Sequence, residues 1–289
     1  MKAAMFWGCR ILTSQYAYEI SAREVLARLG VEIVDLSEAI CCGDPVRSVN
    51  DFAATFLGTR VLALANATGL YDLIVPCNRC HFVISEAKRL VESDADTKQQ
   101  VIGLLKEEGL EYNARIKIWH VIDLLHDSVG LGTIKKAVAK PLKGLRLASH
   151  VGCQILRYSD LGRVDDAENP KKLDDLIATL GAESIDYNEK LDCCGSHLTY
   201  SHVDSALSLA GSKLKAVQAL GVDGLVVSCP DCGMMFDTKQ KDAAGTVGAR
   251  LGLPVVYYTQ LLGLALDVDQ QKLGLHLNQS PVEQLLSKV

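Results

Sequence analysis

At 289 residues, with a formal net charge of −5 and 22% charged residues, the chain has room for two domains and offers no basic excess for nucleic acid. Its 48% hydrophobic content is that of an ordinary globular protein, and no uninterrupted apolar run reaches the length of about 18 residues that a membrane span needs. The N-terminal apolar stretch is too short for a signal-peptide core and lacks a small-residue cleavage site. The chain is therefore expected in the cytoplasm, where structural disulfides are not expected among its ten cysteines.

In chain order, the pattern predicts a helix over 19–29, a strand over 31–36 and a helix over 52–67. The β-branched run in YDLIVPCNRC then reads as a buried parallel strand ending on Cys77, followed by a helix over 80–91 and a strand over 116–119. Residues 128–144 (SVGLGTIKKAVAKPLKG) hold glycines, a proline and lysines and read as a linker. Beyond it the alternation resumes: strand 145–149, helix 173–180, strand 184–187, helix 204–220, the run VDGLVVSCPDC ending on Cys229, and strand 255–258. The expected fold is α/β, with two similar Rossmann-like parallel-sheet domains over 1–140 and 141–289 related by pseudo-two-fold symmetry.

The cysteines carry the repeat. In the first copy 31 residues separate Cys9 from the Cys41-Cys42-Gly43 tripeptide, 34 separate Cys42 from Cys77, and Cys77-Asn78-Arg79-Cys80 closes the set. In the second, gaps of 39 and 34 run through Cys153, Cys193-Cys194-Gly195 and Cys229-Pro230-Asp231-Cys232. The eight extra residues fall between Cys153 and Cys193 and are assigned to a turn around DDAENPKK. Such self-similarity dictates architecture. Cys9, Cys77, Cys153 and Cys229 each follow an apolar run, which puts them at the carboxyl ends of strands, where open parallel sheets collect functional groups.

Three readings of five thiols compete. Inert buried cysteines are common in cores but do not come ten in register. Structural zinc takes four ligands and leaves one thiol over in each set. Iron–sulfur clusters suit soft thiolates in a reducing compartment, although the tight run of a ferredoxin is missing.

A cysteine, a long gap, Cys-Cys-Gly, a second gap and CxxC resemble the CCG domain, and two such domains in one chain resemble the B-type subunits of heterodisulfide reductase. The resemblance implies that Cys9, Cys41, Cys42, Cys77 and Cys80 hold one noncubane 4Fe–4S cluster and that Cys153, Cys193, Cys194, Cys229 and Cys232 hold the other. Adjacent cysteines would then ligate neighbouring irons. It also implies a substrate between the clusters, in the family the mixed disulfide of coenzyme M and coenzyme B, cleaved in two one-electron steps. Partners implied are a cubane-cluster subunit of the C type and a flavin subunit of the A type, because the chain has no GxGxxG and no ferredoxin run of its own. Similar subunits serve sulfur-oxidising complexes acting on sulfane sulfur. CCG-domain proteins of lactate utilisation or glycerol-3-phosphate dehydrogenases represent an electron-transfer alternative.

Beside the leading cysteines stand Arg10 and Gln154. In the family a histidine commonly occupies the second of these places and could protonate a departing thiolate; glutamine donates a hydrogen bond but is no general acid near neutral pH. His197 and His150 are the candidate substitutes. Arg10, Arg79 and Arg157 are cations near the motifs that could meet an anionic thiol substrate. For Arg157 and Lys213 the expected role is that of a solvated surface cation, or of one that merely offsets cluster charge; for His81 it is packing at a helix start. His120, His126, His202 and His276 carry no signal.

Overall fold

The computed structural model describes residues 1–157, 161 and 164–289. Strand β1 (Lys2–Met5) leads into helices α1 (Gly8–Ser14) and α2 (Tyr16–Arg28), then β2 (Glu32–Asp35), α3 (Asp51–Ala67) and β3 (Asp72–Ile74). Helices α4 (Asn78–Ser93) and α5 (Ala95–Glu107) precede β4 (Lys117–Trp119) and the short α6 (Val121–Asp123). The second copy runs β5 (Arg146–His150), α8 (Lys172–Thr179), β6 (Glu183–Ile185), α9 (Val203–Ala219), β7 (Gly224–Val227), α10 (Pro230–Gly233), α11 (Gln240–Thr246), β8 (Val255–Tyr257), α12 (Tyr258–Ala265) and α13 (Glu283–Leu286), after α7 (Leu131–Ala137).

Two four-stranded sheets result, in the orders β2-β1-β3-β4 and β6-β5-β7-β8, with every pair parallel. Short strands suffice because both faces are covered: all four residues of β7 are buried, as are Leu73 and Ile74 of β3. In each sheet the chain steps outward from the first strand, then crosses back over it to the third. That reversal leaves a crevice at the carboxyl ends of β1 and β3, and of β5 and β7, the site where doubly wound sheets bind ligands.

The two sheets share a core. One buried cluster includes Met5, Trp7, Tyr18 and Leu26 of the first copy with Leu147, Val226, Leu261 and Leu262 of the second. Helix α2 packs on α12, where Ser21 Oγ and Thr259 Oγ1 are 2.7 Å apart. Tyr18 stacks on Tyr257 at 4.3 Å between ring centres, and the Tyr257 hydroxyl donates to Gln15 Oε1 at 2.7 Å.

The stretch read as a linker is partly helical. After α6 the helix widens into a π turn (Leu124–Gly130), then α7 forms with Ile134 buried beneath it. Ile134 and Val138 lie in register for a packed face, which outweighs the flanking glycines. Helices α1, α5, α11 and α12, with the short α6, α10 and α13, also lie beyond the expected set. In the second copy DDAENPKK lies after β5 and runs into α8, among described residues that form no α-helix before Lys172. There the Asp165 carboxylate accepts from the backbone N–H groups of Lys171 and Lys172.

Candidate functional site

Glycines bring the cysteine segments together. Gly8 has φ +73°, and a Cβ there would lie 2.9 Å from Cys80 Sγ. In the Cys-Cys-Gly loops Gly43 (φ +99°) lies against the Ala54 backbone of α3 and Gly195 (φ +82°) against the Ala206 backbone of α9. An added Cβ would stand 2.8 Å and 2.6 Å from those backbones, so a side chain would push each loop off its helix. Behind each glycine the loop bends its thiol back: Gly43 N–H donates to Cys41 Sγ (3.4 Å) and Gly195 N–H to Cys193 Sγ (3.3 Å). Cys77 and Cys229 sit at the N-caps of α4 and α10, with Cys80 and Cys232 in the first turns, where helix N-termini favour thiolate.

The sulfurs form a continuous line. Neighbouring thiols act on one another's titration in sequence: Cys41 on Cys42, Cys42 on Cys80, Cys80 on Cys77, and Cys77 across the domain junction on Cys229. The line continues from Cys229 to Cys232, Cys194, Cys193 and Cys153, repeating the first half in mirror order. Cys9 stays outside it, exposed. At the junction the Cys77 and Cys229 sulfurs and an Asp231 oxygen all lie within 4.8 Å of one another. All ten thiols are free.

Acceptor thiols titrate first. Hydrogen bonds from Cys41 and Cys80 hold Cys42 well below the ordinary thiol range, and those from Cys153 and Cys194 lower Cys193. At Cys229 burial pushes upward, but bonds from Cys232 and Cys77 win and the thiol is lowered. Thiolate is the form that binds metal, so each half already holds at least one sulfur inclined to ligate.

Two recesses meet at the junction. The first, about 720 Å³, is lined by Cys9, Cys42, Cys77 and Cys80 among others. The second is lined by Cys153, Cys193, Cys194, Cys229 and Cys232. Arg79, His197 and Asp231 line both.

Around them the expected residues take definite places. Gln154 and His197 come together, amide Nε2 to imidazole Nε2 at 3.0 Å, with Gln154 Oε1 buried and without a partner among the described residues. Arg10 Nε pairs with Asp231 at 3.2 Å and its Nη2 donates to the Tyr200 hydroxyl at 3.0 Å. Arg79 is held between Asp44 and, at 3.5 Å, Asp231. Arg157 lies apart, exposed, donating to the Leu191 carbonyl at 2.8 Å. His81 packs edge-on to His120 at the start of α4, as its position suggested.

Lys213 is not the solvated surface cation that was one of its two expected roles. It is 1% exposed on α9 and donates to His150 Nδ1 (2.8 Å) and to the carbonyls of Glu189 (2.8 Å), Lys190 (2.9 Å) and Asp192 (3.1 Å). His150 Nε2 in turn lies 3.2 Å from Cys232 Sγ. Burial lowers Lys213 to about 8 and pushes His150 well below its usual value. Asp231 was also missed, although it stands inside a CxxC; burial first, then Cys229, raises its carboxyl despite Arg79 and Arg10. Tyr200, 80% exposed, gave no signal of its own.

Paired parallel-sheet domains turning their thiols to one junction define a duplicated cysteine-rich domain protein. Residues 3–85 and 147–237 match the family described as CCG, cysteine-rich domain. The chain is 30% identical over 292 residues to the B-type subunit of the ferredoxin/F420H2-dependent CoB–CoM heterodisulfide reductase of Methanosarcina acetivorans, spanning 100% of this chain and 97% of that protein. It is 28% identical to the 8-methylmenaquinol:fumarate reductase membrane anchor subunit of Wolinella succinogenes, covering 95% of each chain. In structure it resembles a hypothetical protein from Helicobacter pylori, with a TM-score of 0.76, 17% identity, and coverage of 96% of this chain and 51% of that one. The chain belongs to the family of duplicated CCG proteins formed by the B-type subunits of heterodisulfide reductase. Among the described residues no helix is long and apolar enough to cross a membrane.

Proposed function

We propose that this chain is the catalytic iron–sulfur subunit of a heterodisulfide reductase or reductase-like complex. In this reading Cys9, Cys41, Cys42, Cys77 and Cys80 hold one noncubane 4Fe–4S cluster, and Cys153, Cys193, Cys194, Cys229 and Cys232 hold the second. The observation that carries it is the mirrored line of free thiols meeting at Cys77 and Cys229, with both recesses opening on the same three residues. The donor set fits the group: soft sulfurs only, five in each half, with thiolates favoured at Cys42, Cys193 and Cys229. Such clusters would supply single electrons and iron sites able to hold a thiolate, which suits cleavage or formation of a disulfide or persulfide.

The chain's own residues then position the sulfur substrate. Arg79, His197 and Asp231 form the shared wall, and Gln154 orients His197 toward it. The arginines at this cavity are already matched: Arg10 by Asp231, Arg79 by Asp44 and Asp231, Arg47 by Glu86 at 3.0 Å. A multiply anionic heterodisulfide would have to displace these carboxylates. That favours a second reading within the class, in which the substrate is sulfane sulfur presented in neutral or protein-bound form. Electrons come from partner subunits of the C and A types.

The test is metal and sulfide analysis of chain purified without oxygen. About eight irons per chain are expected, and Cys42→Ser and Cys194→Ser should each remove about four, leaving the other site's spectrum intact. Zinc in place of iron overturns the reading. Full iron content with no turnover of any disulfide or sulfane sulfur, alone or with partners, would move the chain to the electron-transfer class.

A further inference from the structure

Around the cysteines the two copies align on fixed offsets, and one buried pair differs sharply between them. The offset that relates Cys42 to Cys194, Cys77 to Cys229 and Ala54 to Ala206 relates Val61 to Lys213. The offset that relates Cys9 to Cys153 relates Phe6 to His150. Phe6 and Val61 are 3% and 2% exposed and lie in one apolar cluster with Cys42, Cys77 and Cys80. Their counterparts, equally buried, are an imidazole and an ammonium.

Donor accounting fixes how that pair is wired. Lys213 finds four acceptors within 3.1 Å, three carbonyls and His150 Nδ1, which absorb all its N–H groups. With Nδ1 accepting, the proton of a neutral His150 sits on Nε2 and points at Cys232 Sγ, 3.2 Å away. None of the acceptors around Lys213 is charged, so its charge is not cancelled by a bonded carboxylate. The arginines that line the first recess, Arg10, Arg47 and Arg79, are each paired with a carboxylate.

We propose that His150 and Lys213 make the two iron–sulfur sites inequivalent, holding the C-terminal site at the higher reduction potential. The inference rests on the reading that each cysteine set binds a cluster. An N–H donor on a ligand sulfur and a buried positive charge both favour the more negative, reduced state, and hydrogen bonds to sulfur are among the levers that set cluster potentials. Low local dielectric enlarges the effect. His150 is a positioning residue here: it acts through Cys232 and does not touch substrate. As a consequence, the C-terminal site is reduced first by an external one-electron donor.

The experiment is a reductive titration of the iron-loaded chain followed by electron paramagnetic resonance. Two midpoint potentials are expected in the unmodified protein. Cys42→Ser should retain the higher. His150→Phe, which copies the other domain, should weaken reduction of that site about tenfold or more, a shift of about 59 mV or more for one electron, and leave the lower potential alone. His150→Gln, keeping an N–H donor, should restore part of the shift. If His150→Phe sheds iron, Lys213→Met in the Cys42→Ser background gives the same comparison without touching a residue bonded to sulfur. A single shared potential in a chain holding about eight irons, or variants that leave the C-terminal potential unmoved, overturns the inference. A chain without iron overturns the cluster reading itself.

Discussion

Tyr18 donates its hydroxyl to the carbonyl of Ser228 at 2.9 Å, and the Pro76 carbonyl lies 3.3 Å from the same oxygen. Ser228 and Pro76 are the residues immediately before Cys229 and Cys77. One fully buried phenol from α2 therefore ties together the ends of the strands that deliver the two central thiols. Stacking on Tyr257 holds the ring in place. The domain junction and the thiol junction are one structure.

Removing that hydroxyl should be felt. Tyr18→Phe keeps the stack but leaves the Ser228 carbonyl without its donor in a site closed to water. A loss of about 1–3 kcal/mol is expected. Denaturant unfolding of the purified chain measures it. An unchanged midpoint would show that the carbonyl finds another donor and that Tyr18 is only a packing residue.

Glycine in the Cys-Cys-Gly tripeptide has a similarly definite reason. Gly195→Ala would strain a backbone at φ +82° and drive Cβ to 2.6 Å from the Ala206 carbonyl oxygen. The left-handed strain alone costs about 1–2 kcal/mol, and the contact is with helix backbone, which cannot swing aside. Cys193 and Cys194 should shift together, so the variant is expected to lose metal from the C-terminal site and keep it in the other. Gly43→Ala should do the reverse. Iron content per chain, with spectra of the remaining site, reports both.

Much of this was legible in the sequence because it is periodic. The doubled cysteine spacing gave the duplicated α/β fold, and β-branched runs ending on Cys77 and Cys229 gave the strand ends. What escaped depends on contacts across long separations. Lys213 lies in a helical stretch with Lys215 nearby and reads as one more surface lysine; only the fold brings the carbonyls of 189, 190 and 192 and His150 around it. Asp231 was in plain view within a CxxC, yet its two arginine partners lie in the other half of the chain. The 128–144 stretch misled because glycine and lysine composition says little about a helix whose buried face rests on a few residues such as Ile134.

Acid should destabilise the fold through its buried histidines. Burial holds His81 down at about 3 and His120 at about 4, and both are neutral when folded. His120 accepts from Ile122 N–H at Nδ1 (3.3 Å) and meets the Pro76 carbonyl with Nε2 (3.0 Å), so protonation would break a helix cap. Unfolded, such histidines titrate near 6.5, so between about 6.5 and 4 the unfolded chain takes up protons that the folded chain refuses. Stability is fully present above that window and falls as pH drops through it. At pH 5 each histidine should account for about 2 kcal/mol of lost stability relative to pH 8. His120→Gln should flatten the dependence between pH 7 and 5; identical pH profiles for the two proteins would mean that His120 titrates normally in the fold.

The last expectation concerns Gln154, whose amide reaches His197 at 3.0 Å where the second leading cysteine's neighbour faces the recess. An amide can orient the histidine but cannot itself deliver a proton to a departing thiolate. General-acid assistance is worth about 10²–10⁴ in rate, so a histidine at this place should matter for any substrate whose thiolate needs a proton. The unmodified chain is expected to reduce the coenzyme M–coenzyme B disulfide slowly and to turn over sulfane sulfur better, and Gln154→His should raise the former at least tenfold. Anaerobic turnover with an artificial electron donor compares the two, and the pH profile of the variant on this disulfide should gain an imidazole-range dependence beyond any that His197 contributes in the unmodified chain. His197→Gln supplies the control: if His197 is the working acid, activity on sulfane sulfur falls while Gln154→His rescues it. Fast reduction of the heterodisulfide by the unmodified chain, indifferent to the histidine, would remove residue 154 from substrate selection and favour the heterodisulfide as the physiological substrate.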